Sequence, residues 1–565
     1  MYCEHEASDA AAAIGVTPDA AWWHGALIYQ IYPLSFCDAS GDGKGDLEGI
    51  IAKLDYLTNT LGVDAIWLSP IYLSPMLDFG YDITDHCRIN PIFGDMATFE
   101  RLLHEAHARR LKVLLDFVPN HTSSEHPWFI EAISSRDNPR QDWYVFRDSQ
   151  PGGGPPNNWL AVFSGSSWQW HESRRQWSLH SFLHEIADLN WRNPDVAKAM
   201  LDAMRFWLDR GVDGFRMDVP NHIMKHPDLP DNPPAPTDAM NTYKDMGEWS
   251  RQLQLHNKNQ PEGHEVYRQM RAVLDSYGPK NPRVMLGEIH IFDWREWAQY
   301  YGEKLDEFHL PFNFGLLNPE WNAQHVRKII EDVEAALPPG AWANWVLGNH
   351  DEPRIASRFG EARARLATML LLTLRGVATL YYGDEIGLPQ AVIPAAQARD
   401  IWAKRVPDRP DLNRDGCRTP MQWSDEPGAH FSLRDAPEPW LPITGDYATR
   451  NVASQLRDPA SMLSLARALI SQRRQSPALR LGAYRTITDG IAASCFAFSR
   501  GVGDDEAKII LNFTNQPQRI DLADPRLTLS ISTHGPCNAT PLAAGFTLRP
   551  DEGAVFLKPR REHRK

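Results

Sequence analysis

The chain has 565 residues, with 58 Lys and Arg against 72 Asp and Glu, a formal net charge of -14. That length exceeds what one hydrophobic core supports and predicts two or three domains, while the acidic balance argues against a nucleic-acid partner and leaves small molecules open. Aromatic residues are plentiful, 20 Trp, 16 Tyr and 22 Phe, and flat apolar rings among carboxylates suit sugars, whose C–H faces stack while their hydroxyls hydrogen-bond.

The cysteines Cys3, Cys37, Cys87, Cys417, Cys495 and Cys537 show no Cys-x-x-Cys spacing and read as free thiols of a reducing compartment. The N-terminus has no basic region followed by an apolar one, and no apolar run reaches the ~20 residues of a membrane span. A cytoplasmic protein with no membrane partner is the expectation.

In chain order, 26–32 reads as a first buried strand. Asp38-Ala-Ser40-Gly-Asp42-Gly-Lys44-Gly-Asp46 follows, with oxygens at every second position among glycines. It is either the first half of a calcium-type loop lacking the usual closing Glu, or a solvated Asp/Gly turn. Helix 47–59 leads to strand 63–70, and the loop after it carries Gly80-Tyr81-Asp82. Helix 96–110 leads to strand 111–118, ending in Pro119-Asn120-His121. From 123 to 190 the rhythm breaks into a loop-rich insertion, long enough to suggest a functional role.

Alternation resumes with helix 196–210, which stops at Gly211, and a fourth strand ending in Phe215-Arg216-Met217-Asp218. A proline-dense irregular stretch, 222–262, separates it from helix 265–277 and strand 283–288. Segments 308–314, 342–351 and 378–383 complete the strands, with helices 324–336 and 362–374 between them. Eight strand–helix units are the count of a (β/α)8 barrel, an α/β fold. The period changes near 478 to short alternating runs, predicting an all-β C-terminal unit. The expected domains are 1–122 with 191–477, the barrel; 123–190, the insertion; and 478–565, the β-sandwich.

Tyr81, Asp82, His121, Arg216, Asp218, Glu288, His350 and Asp351 all fall at or just after predicted strand ends, the catalytic rim of such a barrel. Arg216 and Asp218 share one strand face, where the cation is expected to keep Asp218 ionised as a nucleophile. Glu288 ends an apolar run expected to raise its pKa and keep it protonated. Three carboxylates without a His or Cys cluster point to acid/base and covalent chemistry rather than a catalytic metal. A carboxyl pair ~5 Å apart is what retaining glycoside hydrolysis needs. Asp351 is expected to bind sugar hydroxyls and support the positive transition state.

Asp116-Phe-Val-Pro-Asn-His121, Gly214-Phe-Arg-Met-Asp218, Gly287-Glu288 and Asn349-His-Asp351, in this order, resemble the four signature regions of the α-amylase superfamily, glycoside hydrolase family 13. Asp188-Leu-Asn190 resembles its fifth. Within the family, Arg418-Thr-Pro-Met-Gln-Trp423, Gly80-Tyr-Asp82 and Pro156-Asn-Asn-Trp159 resemble the exo-acting α-glucosidases, oligo-1,6-glucosidases included. The resemblance implies a barrel, a domain B inserted after the third strand and a β-sandwich domain C. It implies Asp218 as nucleophile, Glu288 as acid/base and Asp351 as transition-state stabiliser. Tyr81 is then a stacking platform; Asp82, His121, Arg216, His350 and Arg418 hold sugar hydroxyls, Asp82 and Arg418 closing the pocket behind O4; Phe163 and Phe182 wall the pocket.

The resemblance also implies a structural calcium, or magnesium, held by Asp38, Ser40, Asp42, the Lys44 carbonyl and Asp46, and no organic cofactor. Two departures stand out: relatives more often carry Asn at the place of Ser40, and Gln-Pro-Asp where Ile186-Ala-Asp188 stands. The implied activity is hydrolysis of α-glucosidic bonds at the non-reducing end of maltose-, isomaltose- or sucrose-class oligosaccharides through a glucosyl-Asp intermediate. The alternatives are a transglucosylase or sugar isomerase of the same family, and a non-enzymatic transporter heavy chain. The last expects a membrane span and lost carboxylates, neither of which the sequence shows.

Overall fold

The structure, a computed structural model, describes residues 21–236, 244–433 and 435–558; Cys3 lies outside them. Eight parallel strands close into a barrel in chain order: β1 (Leu27–Ile31), β2 (Ala65–Leu68), β3 (Lys112–Phe117), β4 (Gly214–Met217), β5 (Val284–Gly287), β6 (Leu310–Asn313), β7 (Asn344–Val346) and β8 (Val377–Tyr381). Closure is through β1, which pairs with β2 (Ile28 opposite Ala65) and with β8 (Leu27 opposite Ala378). Helices cover the outer face, so the strands read as continuous apolar runs rather than alternating ones; all five residues of β1 are buried.

Inside, Ile28, Trp67, Leu114, Leu286, Phe312 and Val346, each from a different strand, form one cluster, the filled interior of such a barrel. The next inward positions on β3 and β4, two residues on, are Asp116 and Arg216, and both are buried. Polar chemistry therefore begins where the apolar filling stops.

The helix Pro194–Leu208 shows how the chain reaches β4. Asn193 caps it by accepting from the Asp195 N–H, Pro194 occupies its first turn, and Val196, Met200, Ala203, Met204 and Trp207 bury one face. The turn that follows it closes at Gly211, whose φ of +104° an ordinary residue rarely adopts. Gly214 serves close approach instead: a Cβ there would meet the Val284 carbonyl oxygen at 2.1 Å, so no side chain fits between β4 and β5.

Two elements differ from expectation. The helix foreseen over 47–59 is a short α-helix, Leu47–Ala52, followed by a π-helical turn, Tyr56–Leu61. In that widened turn Tyr56 donates to buried Glu385 (2.8 Å), which Tyr29 also engages (2.7 Å). The C-terminal unit is a six-stranded antiparallel sheet, and the strand between its Asp505–Asn512 and Asp524–Ser532 members is Gly553–Leu557. No alternation marks it because all five residues are buried. Ala497, Ile510 and Phe556 of this sheet pack with Ile520 and Leu548 of a two-stranded sheet.

The insertion after β3 carries a helix, Pro127–Ser134, and a three-stranded sheet. Its two ends are stitched together: Ile186–Asp188 pairs antiparallel with His121–Ser123, setting Asp188 opposite His121. Asp188 also meets Lys225 at 2.6 Å, a buried ion pair that ties the insertion to the segment after β4. The five described cysteines are free thiols. Among the described residues no helix is long and apolar enough to cross a membrane.

Candidate active site

Arg216, enclosed at the rim end of β4, organises the site. Its Nη1 donates to Asp116 Oδ1 (2.7 Å) and Asp218 Oδ1 (2.8 Å), and its Nη2 donates to Glu288 Oε2 (2.6 Å). A guanidinium is a rigid planar fork, so Asp218 and Glu288, bonded to its two terminal nitrogens, are held as neighbours on one rim. Between them Val219 sits in the left-handed region (φ 34°, ψ 50°), a conformation that costs a β-branched residue about 1–3 kcal/mol. Its N–H points to Glu288 Oε2 at 3.3 Å. His290 Nε2 lies 2.9 Å from the other oxygen, Oε1.

Asp351 faces this pair from the end of β7. Its Oδ1 accepts from Arg414 Nη1 (3.0 Å) and Arg418 Nη2 (2.9 Å), and its Oδ2 lies 3.3 Å from His350 Nε2. His350 stacks on Tyr81 with ring centroids 5.4 Å apart and planes within 4°. The Tyr81 hydroxyl donates to Asp116 Oδ2 (3.0 Å) and therefore accepts from His350 Nε2–H (2.7 Å), leaving Nδ1 to accept from Gln30 (2.8 Å). Burial, with Arg418 and Arg216 adding to it against Asp351, lowers the His350 pKa to about 3, so the ring is neutral.

Three carboxyls around one cation cannot all ionise freely. Burial, reinforced by Glu288 and Asp116 and opposed by Arg216, pushes Asp218 well above the usual carboxylate range. Asp116 rises to about 6 for the same first reason. Glu288 goes the other way: burial would raise it, but Arg216 and the His290 bond bring it down to about 2. In this cluster these directions run against the expected raised Glu288 and ionised Asp218, while the coupled carboxyls titrate as a unit. The apolar strand end is real, but Arg216 Nη2 and His290 cover both oxygens of Glu288, and no sequence interval shows that. Burial would raise Asp351, but the charges of Arg414, Arg418 and Lys244 bring it well below its usual range.

A cavity of about 1040 Å³, counting its open mouth, brings together Tyr81, His121, Phe163, Phe182, Asp218, Glu288, His350 and Asp351. Three expected contacts do not reach it. Asp82 is fully buried, its oxygens taken by Ser74 Oγ (2.8 Å) and by the N–H groups of Leu77 (2.8 Å) and Asp78 (3.2 Å). It ties the loop, and Asp78 is the acid on the wall. Arg418 is likewise buried behind the wall on Asp351 and the His350 carbonyl (2.7 Å), while Arg414 lines the cavity and bridges Asp78 (2.8 Å) to Asp351. Each displaced assignment lies four residues from the residue that lines the wall. Both candidates of each pair are of the right type, and only the path of the loop chooses between them. Arg216 lies beneath the wall, holding the carboxyls rather than presenting itself.

His290, Trp402, Lys244 and Lys258 also line the cavity. None had a signal in the sequence: His290, Lys244 and Lys258 come from irregular chain, and Trp402 from a single-turn helix, Ile401–Arg405, within a long loop.

For the glycine-rich loop, no three His, Cys, Asp or Glu side chains converge on a metal position among the described residues. The donor chemistry fits a hard cation nonetheless. Asp38 and Asp46 are buried and the loop turns on positive-φ Gly41 and Gly43. Asp38 accepts from the Gly41 (2.7 Å) and Gly43 (2.9 Å) N–H groups and Asp46 from that of Ser40 (2.8 Å), while Asp42 stays half exposed beside Lys44 (3.6 Å).

The chain matches the alpha amylase catalytic domain family over residues 30–482. It is 40% identical over 524 residues to a probable alpha-glucosidase of Rhizobium meliloti (strain 1021), covering 90% of this chain and 92% of that one. It is 37% identical over 575 residues to an oligo-1,6-glucosidase of Parageobacillus thermoglucosidasius, covering 95% and 98%. Among solved structures it superposes on an alpha-glucosyl transfer enzyme with a TM-score of 0.88 at 39% identity, covering 96% of this chain and all of that one. A trehalulose synthase from Pseudomonas mesoacidophila MX-45 gives 0.85 at 31% identity, with coverage of 96% and 100%.

Proposed function

Since the chain belongs to the α-amylase superfamily, glycoside hydrolase family 13, we propose that it is a retaining exo-α-glucosidase. It releases glucose from the non-reducing end of short α-glucosides. One observation carries this reading: a single guanidinium holds Asp218 and Glu288 side by side, which supports the close carboxyl pairing that retaining hydrolysis needs.

Asp218 attacks the anomeric carbon while Glu288 protonates the leaving oxygen, giving a glucosyl-Asp218 ester and a free alcohol. Glu288, now a carboxylate, takes a proton from water, which displaces Asp218 and restores the α configuration. These roles need Asp218 ionised and Glu288 protonated, one proton distributed within a cluster of carboxyls that titrates as a unit around Arg216. Asp351, kept ionised by its arginines, faces the positive charge that grows on the ring. His121 is kept neutral by burial, which takes it down to about 4, and its Nε2 has no protein partner, free to bond a sugar hydroxyl. Asp78 and Arg414 close the pocket behind the glucose, which makes the action exo.

Assays of maltose, isomaltose, sucrose and trehalose test the reading: glucose released as the α-anomer from at least one supports it, and inactivity on all four or an initial β-anomer overturns it. A second reading, transfer of the glucosyl group to a sugar or small alcohol, is favoured by the transfer enzyme and trehalulose synthase among the structural neighbours. Product analysis at high acceptor concentration separates it from hydrolysis.

The proposal extends to a structural calcium or magnesium ion on Asp38, Ser40, Asp42, the Lys44 carbonyl and Asp46. Bound there, the ion supplies charge compensation for two buried carboxylates and takes no part in catalysis. Chelation is expected to lower the melting temperature by several degrees, on the scale of about 1–3 kcal/mol of ligand-linked stability, with recovery on adding calcium or magnesium. An unchanged melting curve would refute the site.

A further inference from the structure

The cavity continues past the carboxyls into a second polar wall that the hydrolytic chemistry does not use. The Asn259 N–H donates to the Asn221 carbonyl (2.7 Å), clamping the loop that carries Lys258 onto the turn Pro220–His222 just behind Asp218. Lys258, Asn221 and His222 all line the cavity there, only 8%, 2% and 6% exposed. Both amide atoms of Asn221 and the Nδ1 of His222 have no protein partner. Lys258 has Glu296 as the carboxylate acting on it, with no hydrogen-bonded ion pair between them among the described residues, and its Nζ sits 5.0 Å from the centroid of the Trp249 ring. The other cavity lysine, Lys244, differs: it is bonded to Glu352 at 2.6 Å.

This wall is electropositive. Burial draws the Lys258 ammonium down to about 8, with Glu296 opposing, so it still carries its charge at neutral pH. His222 is held neutral by burial, and Lys258, Lys225, His290 and His121 all push it the same way. His290 acts on His222 across this wall, which puts the wall on the leaving-group side in the proposed mechanism. Glu288, the acid on the departing oxygen, is bonded to His290, whereas Asp78 and Arg414 shut the glucose end. A neutral aglycone would leave the desolvated ammonium with only Glu296 and the Trp249 ring to offset its burial, a costly arrangement that a bound anion relieves.

We infer that Lys258 selects α-glucosides whose leaving group carries an anionic substituent, a carboxylate, phosphate or sulfate, with Asn221 and His222 as hydrogen-bonding flanks. This rests on the glucosidase reading above. The probes are 4-carboxyphenyl and 4-carbamoylphenyl α-glucopyranoside, nearly identical in shape and different in charge. The wild-type enzyme is expected to favour the carboxylate by about tenfold in kcat/KM, the scale of one charge-assisted hydrogen bond. The K258M variant should lose that preference, and K258R should keep it. A wild-type ratio near one, or an equal loss on both probes in K258M, would overturn the inference while leaving the glucosidase reading intact. No turnover of either probe by a wild-type enzyme that cleaves one of the disaccharides would overturn this inference alone, and inactivity on the disaccharides as well would overturn both.

Discussion

Replacing Asp218 by Ala is expected to lower kcat by about 10⁴-fold or more on 4-nitrophenyl α-glucoside, equivalent to ~5.4 kcal/mol of transition-state stabilisation. In the proposed mechanism the Asp218 carboxylate forms the glycosyl ester. Glu288 is bonded to Arg216 and His290 beside it, and Asp351 is pinned by Arg414 and Arg418. The space vacated by the side chain admits a small anion. Added azide is therefore expected to restore turnover and to yield the β-glucosyl azide, because it attacks from the face the carboxylate used. A positioning role predicts no such product. Stability should hold, since burial already pushes the Asp218 carboxyl well up and removing it relieves the cluster. Activity within tenfold of wild type, or an azide product of α configuration, would refute the assignment.

Removing Arg216 is expected to have the largest effect on stability. In R216M the carboxyls of Asp116, Asp218 and Glu288 lose the cation that each contacts at 2.6–2.8 Å. Breaking a buried ionic network at its shared partner costs about 3–5 kcal/mol. The loss carries a pH signature. Without the guanidinium all three carboxyls titrate above their unfolded values near 4. Groups raised in the folded state contribute fully below the unfolded pKa, and that contribution is lost as pH rises through the folded values. The deficit against wild type should thus be larger at pH 8 than at pH 5 in urea unfolding. Equal midpoints at pH 8, or a greater deficit at pH 5, would show that the network is not what Arg216 supports.

These two cases also show how far the sequence reaches. The alternation Phe215-Arg216-Met217-Asp218 put the cation and the anion on one strand face before any coordinates, because side-chain direction along a strand has a period of two. Recurrence of strand and helix placed the rim residues of β4, β5 and β7 at one end, because parallel strands joined by right-handed crossovers all finish on the same face. The charge state of Glu288 was not legible. It depends on Arg216, 72 residues away in the chain, and on His290, turned back onto Glu288 by the loop after β5.

The pocket wall divides the same way. Local chain geometry determined which strands bring acids to the rim, because hydrogen-bonded periodicity is written in consecutive residues. Tertiary structure alone decided that Asp78 and Arg414, rather than Asp82 and Arg418, close the cavity, and that Lys258 enters it. Those side chains belong to irregular loops whose course is set by packing against distant elements, among them the clamp between Asn259 and Asn221 and the Ser74 hydroxyl on Asp82. No period in the sequence carries that information.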